Sequence, residues 1–144
     1  MLQSVRLTHV IAVLAGLVGI GAVGMGLWGF NKLEFIEWAM TMGNGFNNPE
    51  YGNIKADEWR EGFRASMLVF LSFGVAALVA AYGLFRGKRW AEYLWLALVA
   101  VHIVAPLQDL ARGASAWIWI AASAAIFIAS VLVFRMEGRV SAAP

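Results

Sequence analysis

The chain has 144 residues, of which 61% are hydrophobic and 14% are charged, and its formal net charge at pH 7 is +2. Soluble domains contain about 45–50% apolar and about 25% charged residues, so this composition excludes a soluble protein and indicates one membrane domain over residues 1–144. The lack of cysteine excludes disulfides and thiolate chemistry, and so small a net charge excludes a nucleic-acid-binding surface.

Four apolar runs cover residues 10–30, 63–85, 90–110 and 114–134. Each is long enough to cross a bilayer core of about 30 Å as a helix that rises about 1.5 Å per residue, and none alternates as barrel strands do. The first run is longer than the apolar core of a signal peptide and no A-x-A site follows it, so we expect it to remain as a span. The sequence therefore predicts an all-α, integral membrane four-helix bundle.

The first span carries a repeated glycine pattern, since residues 16–30 read GLVGIGAVGMGLWGF. The pattern contains G-x-G-x-x-G, but a dinucleotide site needs a preceding strand and a βαβ unit, which a membrane span excludes. Small residues instead let two helices approach closely in lipid. Several small residues lie on one face of the first helix, and this face is predicted to pack against another helix. The residues are Ala15, Gly19, Ala22, Gly26 and Gly29. The small-residue-rich fourth span is one expected neighbour, and another protein is the alternative.

Residues 31–62 are predicted to form a partly helical loop on the outer face. No helix breaker occurs before Gly43, and turn residues then dominate as far as Asn53. The charged segment over residues 55–64 leads into the second span without a break, which is typical of an amphipathic helix lying at the membrane surface.

Polar residues at the outer ends of the spans form the candidate ligand-binding site, because ionisable groups in a membrane are costly and usually functional. Trp95, His102 and Asp109 are seven residues apart and form one stripe on the third helix. Glu37 continues the glycine face of the first helix, and Arg64 starts the second span at a matching depth. If these groups converge, they line an outer-leaflet pocket that suits a lipid or a quinone.

The same cluster contains the candidate catalytic residues for acid–base chemistry on such a ligand, namely His102, Asp109, Glu34 and Glu37. The structural alternative is that Glu34 or Glu37 pairs with Arg64, that Asp109 pairs with Arg112, and that His102 bonds a carbonyl group across the bundle. The sequence leaves both interpretations open.

No metal site is predicted. His9 and His102 differ in depth by on the order of 15 Å, so they cannot ligate one haem iron, and neither H-x-x-x-H nor E-x-x-H occurs. No G-x-S-x-G motif supports serine chemistry. The middles of the first, second and fourth spans lack charge, which disfavours ion-coupled transport.

The basic residues predict that both termini face the cytoplasm. In that orientation the cytoplasmic side holds six basic residues and two acidic ones, and the outer side holds five basic and seven acidic residues. The six cytoplasmic basic residues are Arg6, Arg86, Lys88, Arg89, Arg135 and Arg139.

The stretch EGFRASMLVFLSFGVAALVAAYGLFRGKRWAEYLWLALVAVH has an arginine at the start of a small-rich span and a basic R-G-K-R-W turn after it. It resembles small bacterial four-helix inner-membrane proteins of the DoxX-like type. The resemblance implies that fold and a bacterial inner-membrane location. DoxX-type proteins are associated with quinone-linked oxidoreductase complexes, but this chain has no catalytic motif that would carry such an activity over.

The leading functional prediction is an accessory or structural subunit, rather than an enzyme, of a larger inner-membrane complex of the electron-transfer or photosynthetic kind. The expected partners are membrane lipids and either other membrane subunits or further copies of this chain. The alternative is a small membrane enzyme or binding protein that acts on a lipid, isoprenoid or quinone through the outer-leaflet pocket. A channel is disfavoured, because no polar line crosses the cytoplasmic half of the spans.

Overall fold

A computed structural model describes residues 7–42, 56–104 and 114–140 of the chain. Within these ranges every residue except 86–88 is α-helical. The four helices are α1 (Leu7–Met42), α2 (Ala56–Phe85), α3 (Arg89–Val104) and α4 (Ala114–Val140). The described residues therefore confirm the predicted all-α fold.

The predicted loop over residues 31–62 is partly helical, because α1 continues to Met42 and α2 already begins at Ala56. The acidic side chains of Asp57 and Glu58 lie in the first turn of α2, where they favourably oppose the positive end of the helix dipole. The remainder of the loop, residues 43–55, lies outside the described residues.

Three helices contain segments long and apolar enough to cross a bilayer, over Leu7–Ala39, Asp57–Phe85 and Trp117–Glu137. They correspond to the first, second and fourth predicted spans. The described part of α3 has 16 residues and extends about 24 Å, which is less than the hydrocarbon core. Residues 105–110 of the third predicted span lie outside the described residues, so the fourth crossing stays a prediction.

The chain divides into two compact units. Unit 1 consists of Met1–Val18 together with Ala76–Pro144, and unit 2 consists of Gly19–Val75. Helices α1 and α2 each contribute one segment to each unit.

All four helices contribute to the apolar core of unit 1, and its centre consists largely of alanines that let the helices approach closely. The buried residues of this core are Ile11, Ala12, Ala15, Ala80, Ala81, Leu84, Ala91, Trp95 and Val99. Helix α4 closes the core with the partly buried Phe127, Val133 and Phe134. Unit 1 is thus a packed four-helix arrangement in its own right.

In unit 2, α1 and α2 lie against each other through glycine. A Cβ atom placed on Gly26 would lie 2.7 Å from Cγ of Leu71, and one placed on Gly29 would collide with the sulfur of Met67. On the opposite helix, a Cβ atom on Gly74 would lie 2.9 Å from the carbonyl oxygen of Gly19. The glycine face of α1 is therefore covered by α2 within this unit.

Candidate functional site

The most strongly linked charged groups of unit 2 are Glu37 on α1 and Arg60 on α2. Nε of Arg60 donates a hydrogen bond to Oε2 of Glu37 at 3.0 Å, and Nη2 of the same guanidinium group donates to the same oxygen. The side chain of Glu37 is 23% exposed and that of Arg60 is 40% exposed. Two N–H groups of one guanidinium group thus converge on a single carboxylate oxygen, and such charge-assisted hydrogen bonds are stronger than those between neutral groups.

The carboxylate of Glu37 pairs with Arg60, whereas the structural alternative expected Arg64 as the partner of Glu34 or Glu37. The reason is the register of the two antiparallel helices. Gly29 faces Met67, and Glu37 lies eight residues beyond that contact on α1. Arg60 lies seven residues before it on α2 and therefore reaches the same level, whereas Arg64 lies about one turn away and is exposed.

Two pairs of aromatic rings lie close in sequence to this ion pair, one pair on each helix. The rings of Phe35 and Trp38 on α1 have centroids 5.9 Å apart, and those of Trp59 and Phe63 on α2 are stacked at 5.1 Å. Aromatic side chains beside charged groups are typical of the membrane–water interface, where one part of the ring is apolar and the other is wet. This end of unit 2 therefore has the character of an interfacial surface.

Trp95 lies inside unit 1. Its side chain is 3% exposed, and its indole N–H donates a hydrogen bond of 3.1 Å to Oγ of Ser130, which is 2% exposed. The bond joins α3 to α4 in the apolar core and satisfies both polar groups. From the sequence, Ser130 counts only among the small residues of the fourth span, and this bond was not predicted. The signal that could have indicated it was the presence of a polar side chain within an apolar span.

A second polar contact of unit 1, between α1 and α4, was not predicted. The backbone N–H of Thr8 donates to Oε1 of Glu137 at 3.1 Å, and its hydroxyl group donates to Oε2. The carboxylate thereby accepts a hydrogen bond from one of the backbone N–H groups that a helix leaves unpaired in its first turn. Beside it, the ring of His9 stacks on that of Phe85, with centroids 5.8 Å apart.

The predicted site residues divide between the two units. Unit 2 contains Glu37 in its ion pair, together with the exposed Glu34 and Arg64, and unit 1 contains the buried Trp95 and the exposed His102. Asp109 and Arg112 lie outside the described residues. A pocket lined by all of these groups stays a prediction.

The helices and their apolar segments define the class of protein to which this chain belongs, an all-α integral membrane protein. Within this class, residues 57–136 match the family described as "Predicted membrane protein (DUF2127)". The match covers more than half of the chain, and the chain belongs to this family.

The matched region contains all of α2 except its first residue, all of α3 and most of α4, and with them Gly74, Trp95 and Ser130. No curated protein and no solved structure matches the chain. The family supports the membrane-protein part of the resemblance described above, and it does not support the DoxX-like type.

Proposed function

We propose that this protein is an accessory or structural subunit of a larger membrane complex, of the inner-membrane electron-transfer or photosynthetic kind, and that α4 contacts the partner chain. The support comes from unequal burial of the helices. In the most apolar stretch of α4, 11% of the residues are buried, against 33% in the corresponding stretches of α1 and α2. A helix with so few buried residues has much of its surface exposed to lipid or to another protein.

The exposed surface of α4 includes a row of small residues, and this row is the observation that most directly supports a protein partner. Ala121, Ala125 and Ala129 are all exposed and are four residues apart, so they lie on one face of the helix. Such a row lets the backbone of a neighbouring helix come close. In unit 2 the glycine face of α1 that contains Gly26 and Gly29 is covered by α2, whereas the row on α4 is exposed.

The proposal is tested by purifying the tagged protein from native membranes in a mild detergent and identifying the copurifying chains by mass spectrometry. We expect a defined partner in stoichiometric amount with the wild type. Ala125→Leu should reduce its recovery by roughly tenfold, because the larger side chain separates the two helices. Recovery of the wild type as a single chain, with no partner in stoichiometric amount, would contradict the proposal.

The matched control is Gly24→Leu. Gly24 is exposed on α1, and a Cβ atom placed there has no neighbouring atom within 4 Å. This substitution adds the same side chain to a membrane helix at an open position. We therefore expect it to leave the copurifying chain unchanged, so that a loss caused by Ala125→Leu can be assigned to that face of α4.

A second candidate function is the binding of a lipid, isoprenoid or quinone at the end of unit 2. The observation that favours it is the ion pair of Glu37 and Arg60, which has a pair of aromatic rings close to it in sequence on each helix. Such a combination offers charged groups and apolar surface to an amphiphilic ligand. Lipid extracts of the purified protein should then contain an enriched species. Glu37→Gln should deplete it, whereas Glu58→Gln, at an exposed position of α2, should not.

We also propose a bacterial inner-membrane location with both termini in the cytoplasm. The support is the excess of lysine and arginine on the side of the chain that holds the termini and the turn between α2 and α3.

A further inference from the structure

The turn between α2 and α3 has a fixed backbone. After α2 ends at Phe85, Gly87 adopts a positive φ of 63°, and its N–H donates to the carbonyl group of Leu84 at 3.0 Å. The N–H of Lys88 donates to the carbonyl group of Gly83 at 2.9 Å. These two bonds form a Schellman motif, which satisfies the last carbonyl groups of a helix and requires a residue that tolerates the left-handed region.

Three cations extend from this fixed turn. Arg86, Lys88 and Arg89 lie within four residues, and all three are exposed. The guanidinium carbon of Arg86 lies 5.3 Å from the ring centroid of Tyr82, which orients this side chain through a cation–π contact. Within the described residues none of the three cations lies within 4.0 Å of a carboxylate oxygen, although Arg89 interacts electrostatically with the nearby Glu92. The turn therefore carries three positive charges against this one neighbouring carboxylate, which leaves an excess of positive charge.

Exposed aromatic residues surround the three cations: Tyr82, Phe85, Trp90 and Tyr93. The ring of Trp90 is held close to α2, since a Cβ atom placed on Gly83 would lie 2.8 Å from its Cη2 atom. The membrane-spanning segment of α2 ends at Phe85, so the turn follows directly on the apolar part of the helix. Aromatic rings at this level are typical of the lipid headgroup region.

We propose that this basic turn, residues 86–89 with its aromatic surroundings, is a binding site for the phosphate groups of anionic phospholipids. A guanidinium group can bind two phosphate oxygens at once, and an ammonium group adds a point charge, so the turn offers both modes of recognition. The adjacent rings contact the glycerol and upper acyl region of the same lipids. Arg60 in unit 2 differs from these three cations, because its guanidinium group already forms an ion pair with the carboxylate of Glu37.

The experiment reconstitutes the full chain in nanodiscs that contain phosphatidylcholine and phosphatidylglycerol, and measures the lipids retained after gentle delipidation by native mass spectrometry. We expect retained phosphatidylglycerol to exceed its share of the mixture. In the variant Arg86→Gln/Lys88→Gln/Arg89→Gln this preference should fall by roughly tenfold, since each basic residue near a headgroup adds to the attraction. Millimolar inorganic phosphate should not displace the lipid, because it lacks the apolar part; complete displacement would contradict a lipid site.

The matched control is Lys32→Gln/Arg64→Gln/Arg135→Gln, which removes three exposed positive charges elsewhere in the chain. We expect it to keep the lipid preference. Equal retention in all three proteins, or an equal loss in both triple variants, would overturn the proposal, because the turn would then have no special role. The double variant Arg86→Gln/Lys88→Gln leaves α3 intact from its first residue and should lose part of the preference, which provides a test if the triple variant does not fold.

Discussion

At Gly74 the backbone of α2 directly meets the backbone of α1. A Cβ atom there would lie 2.7 Å from the amide nitrogen of Val23 and 2.9 Å from the carbonyl oxygen of Gly19. A flexible side chain can move away from a new methyl group, but helical backbone atoms cannot. Gly24 lies on α1, the helix that Gly74 contacts, but a Cβ atom placed on Gly24 meets no neighbouring atom within 4 Å.

We therefore expect Gly74→Ala to destabilise the protein by about 1–3 kcal/mol, the usual cost of forcing an extra methyl group into a packed interior. The measurement is the free energy of unfolding in detergent micelles. Gly24→Ala is the control and should be neutral or slightly stabilising, because alanine forms helix more readily than glycine. An equal effect at the two positions would mean that packing against α1 does not explain Gly74.

The buried bond between Trp95 and Ser130 leads to a second expectation at this scale. Ser130→Ala leaves the indole N–H unpaired in an apolar core and should cost about 1–3 kcal/mol. Trp95→Phe removes the donor, so adding Ser130→Ala to it should cost less than Ser130→Ala alone. A double-mutant cycle measures the difference, and coupling energies between membrane helices average about 0.6 kcal/mol. Strict additivity would show that the bond contributes nothing.

At the scale of the helices, the contact of Thr8 with Glu137 connects the beginning of α1 to the C-terminal part of α4. The sequence places both residues near the same membrane surface, since each lies at the edge of an apolar run. It does not show that they meet, because this depends on the rotation of each helix about its axis. The carboxylate supplies the α1 terminus with an acceptor from another helix, and the loss of such a cap typically costs about 0.5–2 kcal/mol.

We expect Glu137→Ala to loosen the first turn of α1 and to lower the stability of unit 1 by about 1 kcal/mol, in line with other lost caps. Hydrogen exchange followed by mass spectrometry should show faster exchange in the first peptides of α1 and little change in those of unit 2. Met136→Ala, at an exposed neighbouring position, is the control. Unchanged exchange at the α1 terminus would contradict the capping role of Glu137.

Across the whole molecule, the distribution of charge predicts the topology. A protein with four crossings has both termini on one side, whereas three crossings would place them on opposite sides. A reporter that is active only in the cytoplasm should therefore function when fused after Pro144. A periplasmic reporter inserted between Asn47 and Asn48 should be active as well. A periplasmic C-terminus combined with a cytoplasmic N-terminus would show an odd number of crossings and would contradict the four-span topology.

Composition and pattern alone determined the class of this protein and the existence of its helices. An excess of apolar residues cannot be buried in so small a chain, and their continuous runs have the length of a bilayer. The lack of a breaker before Gly43 likewise predicted that α1 continues past its apolar run, and the helix continues to Met42. These properties are local, and each depends on residues that are neighbours along the chain.

Only the tertiary structure decided which residues meet. The pairing of Glu37 with Arg60 follows from the register set by glycine contacts between α1 and α2. The hydrogen bond of Trp95 to Ser130 follows from the packing of α3 against α4. Membrane helices are apolar on every side, so the hydrophobic pattern that reveals the inward face of a soluble helix is weak here. Rotation and register are then set by the fit of side chains between helices, which residues far apart in the sequence determine together.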